Sequence, residues 1–211
     1  MIHAVASVPQ QPAQTVALFG GSFDPPHQAH CAIPTFLLKK RLVDQVWYVP
    51  VKNHPFGKQL SSDEHRVNMV QLCIDHLKKE NPLFSNQLRI DTWEIEQNTS
   101  SYTIQTLDDL SAEYPDISFK WVIGTDNLAQ FHLWGNDAQR IPAEYGMFVY
   151  PRFGFPPTPL LPGMTFLKDA PQVKVSSTEV RELVQRQCNL QQFVCPEIEQ
   201  YIADHHLYQC G

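Results

Sequence analysis

Short apolar runs recur along the chain with room for a helix between most of them. Val16-Ala17-Leu18-Phe19 ends in Gly20-Gly21, the pattern of a buried strand stopped by a turn. Similar runs stand at residues 46–49, 88–90, 119–123 and 147–150, with a weaker one at Val173-Lys174-Val175. Between them Val67, Val70, Ile74 and Leu77 repeat at three- and four-residue steps. They follow Ser61-x-x-Glu64, a capping box that would satisfy two orphan N–H groups at a helix start. Ile104, Leu107 and Leu110 follow Ser100-Ser101, and Val180, Leu183 and Val184 follow a second box, Ser176-x-x-Glu179. Pro196 opens a last helix that carries Ile198, Tyr201 and Ile202.

Strands alternating with helices imply right-handed crossovers and a mostly parallel sheet covered on both faces. The expected fold is therefore α/β, doubly wound, with three layers. At 211 residues the chain suits one domain. We read residues 1–14 as an N-terminal extension and 151–165, with five prolines, as a surface loop. In such folds ligands bind outside the carboxyl ends of the strands, so the informative residues should follow strands directly.

Composition narrows the classes. With 43% hydrophobic and 18% charged residues the chain can build a core and is not disordered. A net charge of −6 argues against a nucleic-acid binder, whose affinity comes from clustered cations. No window is apolar enough to span a bilayer, and residues 1–14 lack a basic patch followed by an apolar run. The five cysteines are scattered without a Cys-x-x-Cys pair, which disfavours a disulfide framework and a zinc site and suggests reduced thiols in the cytoplasm.

Most chemical information lies in Gly20-Gly21-Ser22-Phe23-Asp24-Pro25-Pro26-His27-Gln28-Ala29-His30. Paired glycines after a strand let backbone approach a ligand, and free N–H groups at the next helix start attract anions. His27 and His30, three apart, would share one face near the positive helix end and could donate to phosphate oxygens. A metal pair and two structural histidines are the alternatives. Pro34 implies that the helix kinks or restarts there. Three more segments stand where strands meet helices. Ser176-Ser177-Thr178-Glu179-Val180-Arg181 places hydroxyls, helix N–H groups and a guanidinium together. Trp121-Val122-Ile123-Gly124-Thr125-Asp126 is a strand ending in Gly-x-Asp, followed by Leu133-Trp134. Ser101-Tyr102-Thr103-Ile104-Gln105-Thr106-Leu107 sets the N–H groups of Tyr102 and Thr103 at a helix start suited to a carboxylate.

These segments resemble the signatures of the nucleotidyltransferase superfamily, Gly-x-Phe-Asp-Pro with His-x-Gly-His and Ser-Ser-Thr-x-x-Arg, and most closely its nicotinate mononucleotide adenylyltransferase branch. The resemblance runs from about Thr15 to Tyr208. It implies catalytic roles for His27, His30 and Arg181, and ATP contacts from Gly20, Gly21, Ser22, Phe23, Lys58, Gly124, Asp126, Ser177 and Thr178. It implies pyridine-nucleotide contacts from Tyr102, Thr103, Leu133, Trp134 and Trp93, with Asp126 accepting from a ribose hydroxyl and the indole of Trp134 stacking on the pyridine ring. Arg66 is a weaker phosphate candidate. Mg²⁺ is expected through the ATP phosphates, with no protein metal site. Two departures stand out. Ala29 replaces the glycine between the histidines, and residues 53–58 with Asp91-Thr92-Trp93-Glu94 lean toward nicotinamide-mononucleotide enzymes, which leaves the base preference open.

The implied reaction is adenylyl transfer from ATP to nicotinate mononucleotide, releasing pyrophosphate. The rival readings are nicotinamide mononucleotide as substrate, a sister adenylyl- or cytidylyltransferase such as pantetheine-phosphate adenylyltransferase, and a nucleotide sensor without turnover.

Overall fold

The apolar runs pair edge to edge because each is flanked by helical segments long enough to cross back over the sheet. The computed structural model describes residues 14–52, 59–97, 102–135 and 137–209. Strand β1 (Gln14–Gly21) leads into helix α1 (Gln28–Lys39), β2 (Gln45–Pro50), α2 (Asp63–Glu80) and β3 (Leu88–Ile90). A single turn, α3 (Trp93–Glu96), and the longer α4 (Thr103–Glu113) precede β4 (Ile117–Gly124). A further turn, α5 (Thr125–Leu128), is followed by β5 (Met147–Tyr150), β6 (Met164–Phe166), α6 (Ser177–Gln185) and α7 (Pro196–Asp204).

The sheet order is β3-β2-β1-β4-β5-β6, and every neighbouring pair is parallel. The chain winds outward from β1 to β3, returns, and winds the other way from β4 to β6. Its direction reverses between β1 and β4, the place where doubly wound sheets bind ligands.

The two-residue period of the strands sends alternate side chains to opposite layers. Ala17, Phe19, Val46, Tyr48 and Val122 pack with Ile33 and Leu37 of α1, Ile74 of α2 and Ile198 of α7. Val16, Leu18, Trp47, Val49 and Trp121 pack on the other face with Leu107 and Leu110 of α4. Each fully buried Val, Leu, Ile or Phe among them contributes about 1.5–3 kcal/mol.

Four local expectations need correcting. The cap of α2 is Ser62, whose hydroxyl accepts from His65 N, rather than Ser61. Residues 173–175 form no strand, because the carbonyls of Val173 and Val175 accept from the Arg152 guanidinium at 3.4 and 3.0 Å. The sixth strand is instead β6, so the proline-rich segment ends earlier than residue 165. Of the two alternatives at Pro34, the restart falls away, because α1 runs through the proline. Proline has no N–H for the carbonyl four residues back, which is that of His30. The buried Tyr48 hydroxyl donates to this carbonyl at 2.7 Å instead.

Candidate active site

The start of α1 is built by its two histidines. His27 is the helix N-cap; its Nδ1 accepts from Ala29 N at 3.3 Å, while Nδ1 of His30 accepts from His27 N at 2.9 Å. This is a capping box made of imidazoles, in which the usual oxygen acceptors are replaced by ring nitrogens. An acceptor Nδ1 requires the neutral tautomer with its proton on Nε2. Both rings therefore keep one N–H to offer the cleft that they line. Burial, then the charge of Arg152, pushes His30 down to about 3. Burial, His30 and Arg152 push His27 well down in the same way. Near neutral pH both rings are uncharged donors.

Asp24 ties three distant parts of the chain to this corner. Its carboxylate accepts from Tyr208 Oη at 2.6 Å and from Ser61 N at 3.2 Å, and its carbonyl accepts from Arg181 Nη1 at 2.6 Å. Asp24 is thus buried yet fully engaged. Preceding it, Phe23 adopts a left-handed backbone with φ of 50°, costly for a bulky residue, and its ring meets His30 edge-on at 5.0 Å. Arg66 is fully buried and donates to the carbonyls of Ser22 and Ser61 and to Asp63, so it braces the loop and does not line the cleft.

The start of α6 faces the same space. Ser176 and Glu179 form the expected capping box, Ser177 Oγ donates to the Pro25 carbonyl at 2.9 Å, and Thr178 Oγ1 accepts from Arg181. Arg181 is one turn into the helix, so its guanidinium and the helix N–H groups present positive charge toward His27 and His30.

Across the switch point, β4 ends at Gly124. A methyl group there would lie 2.3 Å from Asp126 Oδ1 and 2.8 Å from Cγ of Arg152, so the glycine makes room for those two side chains. Asp126 Oδ2 pairs with Arg152 Nε at 3.5 Å, and its Oδ1 is buried without a hydrogen-bond partner among the described residues, an acceptor placed at the cleft. Further along the cleft stand Leu133, Trp134, Tyr102 and Thr103. Tyr102, the N-cap of α4, makes no side-chain cap to the helix that starts at Thr103, so among the described residues its leading N–H groups stay available. The whole cleft encloses about 650 Å³, enough for a dinucleotide-sized ligand.

A cytidylyltransferase-like family model matches residues 18–183. The chain is 36% identical over 200 residues to a protein of Myxococcus xanthus (strain DK1622) named "Probable nicotinate-nucleotide adenylyltransferase", spanning 94% of this chain and 96% of that one. A protein of the same name from Bacteroides fragilis (strain YCH46) is 34% identical over 184 residues, 86% of this chain and 87% of that one. The chain belongs to the nicotinate-nucleotide adenylyltransferase family. Its fold is also that of the Plasmodium falciparum nicotinic acid mononucleotide adenylyltransferase solved with NaAD, with a TM-score of 0.78 at 18% identity over 92% of this chain and 97% of that one. The same enzyme complexed with APC gives 0.76 over the same shares at 18% identity.

Against that family pattern, the cleft gathers His27, His30, Gly20, Gly21, Ser22, Phe23, Asp126, Ser177, Thr178, Arg181 and all four of Tyr102, Thr103, Leu133 and Trp134. Gly124 lies just beneath it. Trp93 does not join them, since α3 turns its indole onto the core layer of α4. Lys58 lies outside the described residues, whereas Lys52 lines the cleft and pairs with Asp63 at 2.8 Å. Ala29, the departure from glycine, is buried with its N–H given to His27, and its methyl is not part of the cleft wall. Arg152 is a cleft-lining residue that the sequence motifs did not reveal. It follows the carboxyl end of β5, the position where a doubly wound sheet displays ligand contacts, but its neighbouring prolines disguised it as surface loop.

Proposed function

We propose that this chain transfers the adenylyl group of ATP to nicotinate mononucleotide. The 5′-phosphate oxygen attacks the α-phosphorus in line, a new P–O bond forms, the bond to the β-phosphate oxygen breaks, and pyrophosphate leaves. The nucleophile is already anionic, so no strong general base is needed, and catalysis reduces to alignment and charge stabilisation. His27 and His30 donate from Nε2 to the triphosphate, while Arg181 and the N–H groups at the start of α6 take further phosphate oxygens. Arg152 adds positive charge on the far wall. Asp126 Oδ1 accepts from a ribose hydroxyl. The N-terminus of α4 receives the nicotinate carboxylate with Trp134 beside the ring, an arrangement that favours the acid over the amide.

The observation that carries this reading is the meeting of two neutral imidazole donors, a guanidinium and a helix start in one cleft at the reversal of strand order. The donor set also bears on Mg²⁺. Asp24 is engaged through both oxygens, Asp126 pairs with Arg152, and Glu94 accepts from Thr106. Such a set suits a cation that arrives on the nucleotide, and bound there it would neutralise phosphate charge. We place the described residues in one nucleotidyltransferase domain acting in the cytoplasm. No helix among the described residues is long and apolar enough to cross a membrane.

Pyrophosphate release with ATP and either mononucleotide tests the proposal. Purified protein should release pyrophosphate with nicotinate mononucleotide and much less with the nicotinamide form. Binding without release identifies a sensor, and equal rates remove the role given to α4. His30→Ala should lower turnover about 10²–10³-fold with the fold retained.

A further inference from the structure

Away from the cleft, α2 and α7 pack against each other and bring three metal-ligating side chains together. His76 Nδ1, Cys195 Sγ and a carboxylate oxygen of Glu197 lie within 4.8 Å of one another. We propose that these three side chains form a zinc site that clamps α7 to α2.

The geometry that calls for a cation is the His76–Glu197 contact. Nδ1 and Oε2 face each other at 3.1 Å, yet both atoms are buried and neither has a well-formed hydrogen bond among the described residues. Their hydrogen-bond geometry is poor, so the pair leaves a buried ring nitrogen and a buried carboxylate oxygen that a cation between them would satisfy. Ligands around a tetrahedral zinc, each about 2.0–2.1 Å from the metal, stand roughly 3.3 Å apart. Lys79 Nζ is 4.0 Å from Oε1, the other oxygen of Glu197, and so leaves Oε2 to the histidine.

The donors suit the ion. A neutral imidazole, a thiolate and a carboxylate together carry two negative charges and balance a divalent cation. Mixed nitrogen, sulfur and oxygen ligands select zinc over magnesium or calcium, which take oxygen alone, and three protein ligands leave the fourth position to water. Cys195 is the N-cap of α7, where the helix dipole favours a thiolate. Burial otherwise raises its thiol to about 12, so zinc has to displace a proton to bind. Cysteine spacing alone hides this site because the histidine comes from a helix much earlier in the chain.

The test uses Co²⁺ as a spectroscopic probe in the full-length, chelator-treated protein. A thiolate ligand gives Co²⁺ a near-ultraviolet charge-transfer band, which histidines of the cleft cannot produce. The wild type should develop that band to one Co²⁺ per chain and lose it on adding Zn²⁺. His76→Gln and Glu197→Gln alter partly exposed side chains and should weaken Co²⁺ binding at least about tenfold, the scale on which even outer partners of a ligand matter. Cys195→Ser should abolish the band. Absence of the band in the wild type overturns the proposal. So does a band that survives Cys195→Ser, since it would arise from thiols such as Cys31 and Cys73, whose sulfurs are 2.9 Å apart. If Cys195→Ser fails to fold, unchanged affinity in the other two variants overturns it equally.

Discussion

Pro34 and Tyr48 make a quantitative prediction about how α1 tolerates a proline in its interior. The proline leaves the His30 carbonyl without its helical donor, and Tyr48 supplies a replacement at 2.7 Å from a fully buried position. Tyr48→Phe should therefore strand a buried acceptor, at a cost of about 1–3 kcal/mol. Pro34→Ala returns an N–H to the same carbonyl, which has two lone pairs and can accept from both donors. In the Pro34→Ala background the loss of the hydroxyl should cost little beyond its contact with Cys73, which is common to both backgrounds and cancels. Urea denaturation of the wild type, both single variants and the double variant closes the cycle. The expected coupling is about 1–2 kcal/mol, equivalent to roughly 2–8 °C in melting temperature for a domain of this size. If Tyr48→Phe costs the same in the wild type as in the Pro34→Ala variant, within about 0.5 kcal/mol, the two residues do not share the carbonyl and the reasoning fails.

Other outcomes follow from the same geometry. His30 accepts a backbone N–H through Nδ1 and is held near 3, below the ordinary 6.5, so the unfolded chain binds a proton there that the folded chain refuses. Its share of stability is present above about 6.5 and is lost as pH falls toward 3, with a slope of up to about 1.4 kcal/mol per pH unit. Denaturation midpoints of wild type and His30→Gln, compared at pH 7 and 5, should converge as pH falls; parallel curves would contradict the assignment. Gly20→Ala would place a methyl 2.3 Å from Cζ2 of the buried Trp121, and calorimetry should show about 1–3 kcal/mol of overpacking. Gly124→Ala should displace the Asp126 carboxylate and raise the KM for ATP more than it lowers kcat, whereas an unchanged KM would remove Asp126 from nucleotide binding.

What could be read from the chain divides along physical lines. Four strands announced themselves because central strands of a parallel sheet are buried on both faces and so run apolar, and the short edge β3 showed through Leu88 and Ile90. The sixth is a three-residue, partly exposed edge, Met164-Thr165-Phe166, and carries no such signal, while Val173-Lys174-Val175 alternates like a strand but spends its carbonyls on Arg152. Ser61 and Ser62 are chemically equal as caps, but the backbone of Ser61 is engaged with Asp24 and Arg66, and Ser62 takes the cap. At the site, motif residues were legible because each lies next to a strand end or helix start. Asp24 was visible within the first motif, but its work depends on Arg181 and Tyr208, 157 and 184 positions away, and no local pattern records such contacts.

The imidazole capping box merges two tasks that proteins usually assign to different side chains. Each ring spends one nitrogen closing the first turn of α1, and this fixes which nitrogen bears hydrogen on the other side. Should that turn fray, both nitrogens become equivalent to solvent, either can take a proton, and the orientation of two donors is lost in a single event. Local melting of a few residues would thus silence the chemistry proposed for this corner long before the sheet beneath it gave way.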